Sequence, residues 1–250
     1  MGDSVLVAEP MPGADARQGL GPRENSAQAR VAAKSAALSE KPYSGSTVTA
    51  QNVIVFDWDD TIMPTSFLAV HGLHSENVDV PVPIPAPIQE ELRRLDDLAV
   101  ALLECAMTLG RTIIITNAES GWVEMSGARF LPRVSAFLTK KSVPVISART
   151  NYEALSPTNP NDWKVNAFHH EIQMRFGFLA ELNILSVGDG ISERVAAHTL
   201  VGMMPSSLVK TVKFVERPNL CTLQRELHLM TSTLHDLFQH AASFDINLVS

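Results

Sequence analysis

The chain has 250 residues, 45% of them hydrophobic and 19% charged, and its 20 Lys and Arg against 27 Asp and Glu give a formal charge of −7. That balance belongs to a folded protein with one sizeable core, not to a collagen-like or wholly disordered chain. It also disfavours a nucleic-acid binder that works through a basic surface. No uninterrupted run of about 18 apolar residues occurs, so no membrane-spanning helix is expected, and the first residues lack the basic start and apolar block of a secretory signal. Cys105 and Cys221, both in apolar stretches of helical character, cannot staple a fold of this size, so a reducing compartment is expected, cytoplasmic with nuclear as the alternative.

Residues 1–49 are rich in Ala, Ser, Gly, Lys and Arg and offer no aromatic side chain before Tyr43, which predicts a disordered tail. From residue 50 to 250 the texture is that of a single α/β domain. Short β-branched runs predict five buried strands at 53–56, 112–116, 143–147, 184–187 and 211–215. Helical periodicity between and after them predicts helices over 88–109, 121–138, 161–176, 192–198 and 220–240. In the last of these, Leu223, Leu227, Met230, Leu234 and Phe238 form one apolar stripe. Prolines 81, 83, 85 and 87 stand at alternate positions, so the stretch at about 62–87 should be an extended loop or flap.

Ligands of open parallel sheets bind beyond the carboxyl ends of the strands, which makes the residues after each strand the ones to weigh. The first strand runs into Asp57-Trp58-Asp59-Asp60-Thr61, three carboxylates within four positions. Carboxylates so close repel one another unless a cation or strong donors sit among them. With no His or Cys nearby, the hard oxygen set suits Mg²⁺. Alone, Asp-x-Asp is equally compatible with a solvated loop. The second strand closes in Thr116-Asn117, a hydroxyl and an amide able to hold a phosphate oxygen, or simply a turn. Lys164 opens a later helix, and the fourth strand closes in Gly188-Asp189-Gly190-Ile191-Ser192-Glu193, another carboxylate with glycines that permit close backbone approach. His169 and His170, though adjacent to Glu171, face different directions on a helix and lack a third ligand at helical spacing.

Taken in order, Asp57-x-Asp59-x-Thr61, Thr116, Lys164 and Gly188-Asp189-Gly190-x-x-Glu193 resemble the four motifs of the haloacid dehalogenase superfamily, over about residues 52–215. The run from Thr116 to Glu124, TNAESGWVE, is also similar to runs in uncharacterised protist members. The resemblance implies a three-layer sandwich with a doubly wound, mostly parallel five-stranded sheet. It implies a Mg²⁺-dependent phosphatase working through an aspartyl-phosphate: Asp57 as nucleophile, Asp59 as acid and base, and Thr116, Asn117 and Lys164 on the phosphoryl group. The metal would be held by Asp57, the Asp59 main chain, Asp189 and Glu193, with Glu193 alternatively pairing with Lys164. An Asp at position 59 points away from dehalogenase and ATPase-pump chemistry. The sequence leaves no room for a full cap domain, so an open mouth, flanked by Trp58, Phe67 and Trp122 where these are not core, would admit a small or a protein phosphate ester. A catalytically silent relative that binds a phosphorylated ligand, and an enzyme that transfers the phosphoryl group to an acceptor other than water, are the alternatives.

Overall fold

The computed structural model describes residues 5–8, 51–73, 82–177 and 180–249. Strand β1 spans Val5–Ala8 and β2 spans Gln51–Phe56. After β2 come the short helix α1 (Thr65–Val70), the long helix α2 (Ala86–Leu109) and β3 (Arg111–Thr116). Helices α3 (Trp122–Phe130) and α4 (Pro132–Lys141) lead to β4 (Val145–Ser147), followed by α5 (Ala148–Tyr152) and α6 (Pro160–Phe176). The chain ends with β5 (Leu182–Gly188), α7 (Ile191–Met203), β6 (Leu208–Lys213), α8 (Leu220–Gln239) and β7 (Phe244–Val249).

Six strands lie parallel in the order β7-β6-β5-β2-β3-β4, and β1 pairs antiparallel along the outer side of β7. The order reverses at β2, so the chain winds outward from a central strand in both directions. Side chains alternate across β2 as the pleat demands. Val53 and Val55 pack on the face covered by α6 and α7, with Phe168, Ile172 and Ala196. Ile54 and Phe56 pack on the opposite face with Leu95 and Leu102 of α2 and Leu227 and Leu234 of α8. Helices on both faces of one sheet make a three-layer α/β sandwich. The apolar stripe of α8 is buried along its whole length, as its period requires.

The sheet departs from the expected one in particular places. It has six parallel strands where five were expected, because β7 follows the last helix. The strand expected at 143–147 begins only at Val145, and that expected at 211–215 is shifted to Leu208–Lys213. The helix expected over 121–138 is two helices. Pro132 has no N–H to donate, so α3 closes with Leu131 N–H on Gly127 O at 2.9 Å and Pro132 opens α4. Inside the stretch expected to be a loop, 65–70 is helical, and Pro87 sits in the first turn of α2, where a missing N–H costs nothing. Residues 74–81 of that stretch lie outside the described residues. Within the expected tail, Val5–Ala8 form β1, and residues 1–4 and 9–49 lie outside the described residues. Among the described residues no helix is long and apolar enough to cross a membrane, and both cysteines are free.

Candidate active site

Pairing of Phe56 with Val187 of β5 and Ile114 of β3 places the residue after it, Asp57, at the carboxyl edge of the central strand. Its N–H continues the ladder to Val187 O at 2.9 Å. The carboxylate is buried, and Lys164 Nζ lies 2.7 Å from its Oδ1. Lys164 reaches it from the first turns of α6, which begins at Pro160 with the Asn159 side chain accepting from Asn161 N–H at 3.2 Å. Trp163 fixes the helix start by donating from Nε1 to Ser156 O at 2.7 Å. The ammonium is 1% exposed and also pairs with Glu193 Oε1. Burial works against its charge, yet the flanking carboxylates of Asp57 and Glu193 outweigh it and hold Lys164 protonated above its ordinary range. Burial also raises the Asp57 carboxyl; Lys164 opposes that, while Glu193 and Asp59 add to it.

Asp59 is held by three donors from three elements. Thr65 Oγ1 of α1 donates to its Oδ1 at 2.6 Å, Trp122 Nε1 of α3 donates to the same oxygen at 2.8 Å, and Thr116 Oγ1 at the end of β3 stands 3.3 Å from Oδ2. Thr116 in turn accepts from Ala118 N–H at 2.9 Å, which fixes its rotamer. Asp60 takes a left-handed backbone (φ 53°) so the chain can turn under the site, and its buried carboxylate accepts from the N–H of Ser66 at 2.8 Å and from the Ser66 hydroxyl. Asp60 is therefore a turn residue that faces inward and ties α1 to the loop.

Asp189 directly follows β5, the strand that pairs with β2. Burial, with Glu193 and Asp60 nearby, pushes its carboxyl up to about 7. Gly188 and Gly190 leave the space that Glu193 occupies: Glu193 Oε2 accepts from Gly190 N–H at 3.1 Å, and a Cβ on Gly188 would come within 2.8 Å of Glu193 Cδ. Burial acts to raise Glu193, but Lys164 and the backbone donor win and lower it. With one oxygen on Lys164 and the other on Gly190, Glu193 pairs with the lysine.

The donor set can be weighed against a Mg²⁺ ion. Among the described residues no three His, Cys, Asp or Glu side chains form a ready cage. Mg²⁺, however, is commonly held by one or two carboxylates with water and substrate oxygens completing the octahedron. Asp57 Oδ1 is buried with Lys164 Nζ 2.7 Å away, and both Asp57 and Asp189 hold protons more tightly than ordinary carboxyls. Lys164 already supplies one positive charge to Asp57, and a divalent ion held by Asp57 or Asp189 would add to it. The Asp59 carboxylate is engaged by its three donors, so its share would come from its main-chain carbonyl.

Asn117 donates from Nδ2 to Pro160 O at 3.3 Å, linking the ends of β3 and α6, and its buried Oδ1 has no hydrogen-bond donor. Trp58 does not line the mouth: it is fully buried and donates from Nε1 to Ser126 Oγ at 3.0 Å. Phe67 packs against the core and against the His71 ring at 4.0 Å. His169 is half-buried on Thr199 Oγ1 at 2.8 Å, a packing contact and not a metal site. Residues that the sequence did not single out are Thr65, Ser66 and, as a partner of Asp59, Trp122. Thr65 and Ser66 follow the first motif by a few positions and had a local signal, a hydroxyl pair just after an acidic turn; the Trp122 contact spans 63 residues and had none. Comparison with family models, with curated proteins and with solved structures finds no match.

Proposed function

We propose that the chain is a Mg²⁺-dependent phosphatase with a haloacid dehalogenase-like site that hydrolyses phosphate monoesters through an aspartyl-phosphate on Asp57. The observation that carries the proposal is the gathering, at the carboxyl edge of one parallel sheet, of a buried Asp57–Lys164 pair and an Asp59 gripped from three other elements. A carboxylate of the chain attacks phosphorus, and the oxygen of the ester leaves with its electron pair. Asp59 gives that oxygen its proton; in the second step it takes a proton from water as the water oxygen bonds phosphorus and Asp57 is released with its carboxylate restored. Lys164, held charged, and Thr116 offset the negative charge on the phosphoryl oxygens. A bound Mg²⁺ supplies the remaining positive charge that lets two anions meet.

The substrate is a phosphate monoester, small or carried on a protein, since no folded domain is inserted over the site among the described residues. The test is hydrolysis of p-nitrophenyl phosphate with and without Mg²⁺. Turnover that requires Mg²⁺ and disappears in Asp57→Asn is expected; turnover that survives Asp57→Asn overturns the assignment of the nucleophile.

A further inference from the structure

The two oxygens of Asp59 are in different circumstances. Oδ1 accepts two donors at normal hydrogen-bond lengths, the Trp122 indole at 2.8 Å and the Thr65 hydroxyl at 2.6 Å. Among the described residues, Oδ2 meets only the Thr116 hydroxyl, at a long 3.3 Å. A carboxyl group carries its transferable proton on the oxygen that is not already an acceptor of two bonds. The indole is itself placed without freedom. Gly121 adopts a left-handed backbone (φ 93°) that a side chain would strain, and turns the chain so that Trp122 begins α3, its N–H on Glu119 O at 3.1 Å. Ser126 then accepts from Trp58 Nε1 at 3.0 Å and donates to Trp122 O at 2.6 Å. Two tryptophans thus brace the acidic loop against one helix: Trp58 through Ser126, and Trp122 directly through Asp59.

We propose that Trp122 is the positioning residue of the acid-base group: its indole N–H pins Asp59 Oδ1 and so assigns proton transfer to Oδ2. This rests on the phosphatase function proposed above. When the ester P–O bond breaks and the Asp57 O–P bond forms, the Oδ2 proton passes to the departing oxygen; when water attacks, its proton returns to Oδ2. The positioning matters most for the first transfer when the departing oxygen is a strongly basic alkoxide, and least for nitrophenolate, which leaves without a proton.

The experiment compares kcat/KM for p-nitrophenyl phosphate and for an alkyl phosphate, glycerol phosphate, in the wild type, Trp122→Phe, Asp59→Ala and the double variant, all with Mg²⁺. Trp122→Phe should lower alkyl-phosphate kcat/KM by roughly tenfold, part of the factor a general acid supplies, with little change for the aryl ester. In the Asp59→Ala background the same substitution should add nothing, as expected of a residue that acts through another. An equal fall for both esters, or an undiminished effect without Asp59, overturns the proposal. Independently of turnover, the Trp122 indole N–H resonance of the wild type, assigned by its loss in Trp122→Phe or by selective labelling should that variant not fold, should move upfield in Asp59→Ala; an unmoved resonance overturns the contact. Activity that persists in Asp57→Asn would instead sink the phosphatase function, and the two failures are thereby separated.

Discussion

Lys164 and Asp57 face each other across 2.7 Å at the end of the central strand, with the ammonium 1% exposed and Glu193 on its other side. One buried cation thus serves two buried anions. Removing it leaves both carboxylates without a counter-charge in a low-dielectric setting, a loss of about 3–5 kcal/mol for a broken buried pair. Lys164→Met should therefore lower unfolding free energy by about that amount in urea titrations while abolishing phosphate release. A variant as stable as the wild type would mean that the pair is solvated.

The space for Glu193 is made by an absent side chain. Gly188→Ala would force a Cβ into the Glu193 side chain and lift it from Lys164. A cost of about 1–3 kcal/mol is expected from such overpacking. In a Glu193→Ala background the same substitution should cost much less, since the clash is gone; equal costs in the two backgrounds, read by thermal unfolding, would place the strain elsewhere.

Glu226 of α8 is fully buried, with Oε1 accepting from Val215 N–H at 2.8 Å and Oε2 without a partner. Burial pushes its carboxyl up to about 7, with Asp189 adding to the effect and Val215 and Lys213 opposing it. Because the folded value lies above the unfolded one, its contribution to stability is whole at low pH and is lost as pH rises from about 4 to about 7. Glu226→Gln keeps the acceptor and has no charge to bury. In the presence of EDTA its stability should match the wild type near pH 4 and exceed it at pH 8 by an amount on the order of 3 kcal/mol. A difference that does not grow with pH refutes the buried-carboxyl account.

Lys210 lies fully buried in β6, and its ammonium donates to Leu237 O at 2.7 Å, Phe238 O at 3.2 Å and His240 O at 2.7 Å. It satisfies carbonyls at the end of α8 that have no helical partner. Lys210→Met keeps the length of the side chain but leaves those acceptors bare, with a cost of about 1–3 kcal/mol. Amide exchange should quicken first at the junction of α8 and β7; uniform exchange would count against a local anchor.

The strand ends and their acidic residues were legible because buried parallel strands are written as β-branched runs, and the change to polar residues marks the sheet edge. β7 was hidden for the opposite reason. Phe244, Ile246 and Leu248 alternate with Asp245, Asn247 and Val249, and the polar members look solvated until Arg194 and Thr211 are seen to engage Asp245 and Arg194 to reach Asn247. The register of β6 was misplaced because Lys210 reads as a break in an apolar strand, its carbonyl partners lying 27 to 30 residues away. α1 escaped notice since its anchors are the carboxylates of Asp59 and Asp60, themselves read as site residues only. Of the candidate site, Asp57, Asp59, Thr116, Lys164 and Asp189 could be named from local pattern, whereas the indole on Asp59 depends on where α3 lands against the sheet.

The short strand Val5–Ala8 takes the outer hydrogen-bonding groups of β7, and this fixes how the sheet ends. A strand left bare along one side is a template on which another chain can add. A chain shortened past Ala8 would offer the N–H and C=O groups of Phe244–Val249 to a second molecule, so those four residues act as a guard against self-association at a margin far from the chemistry.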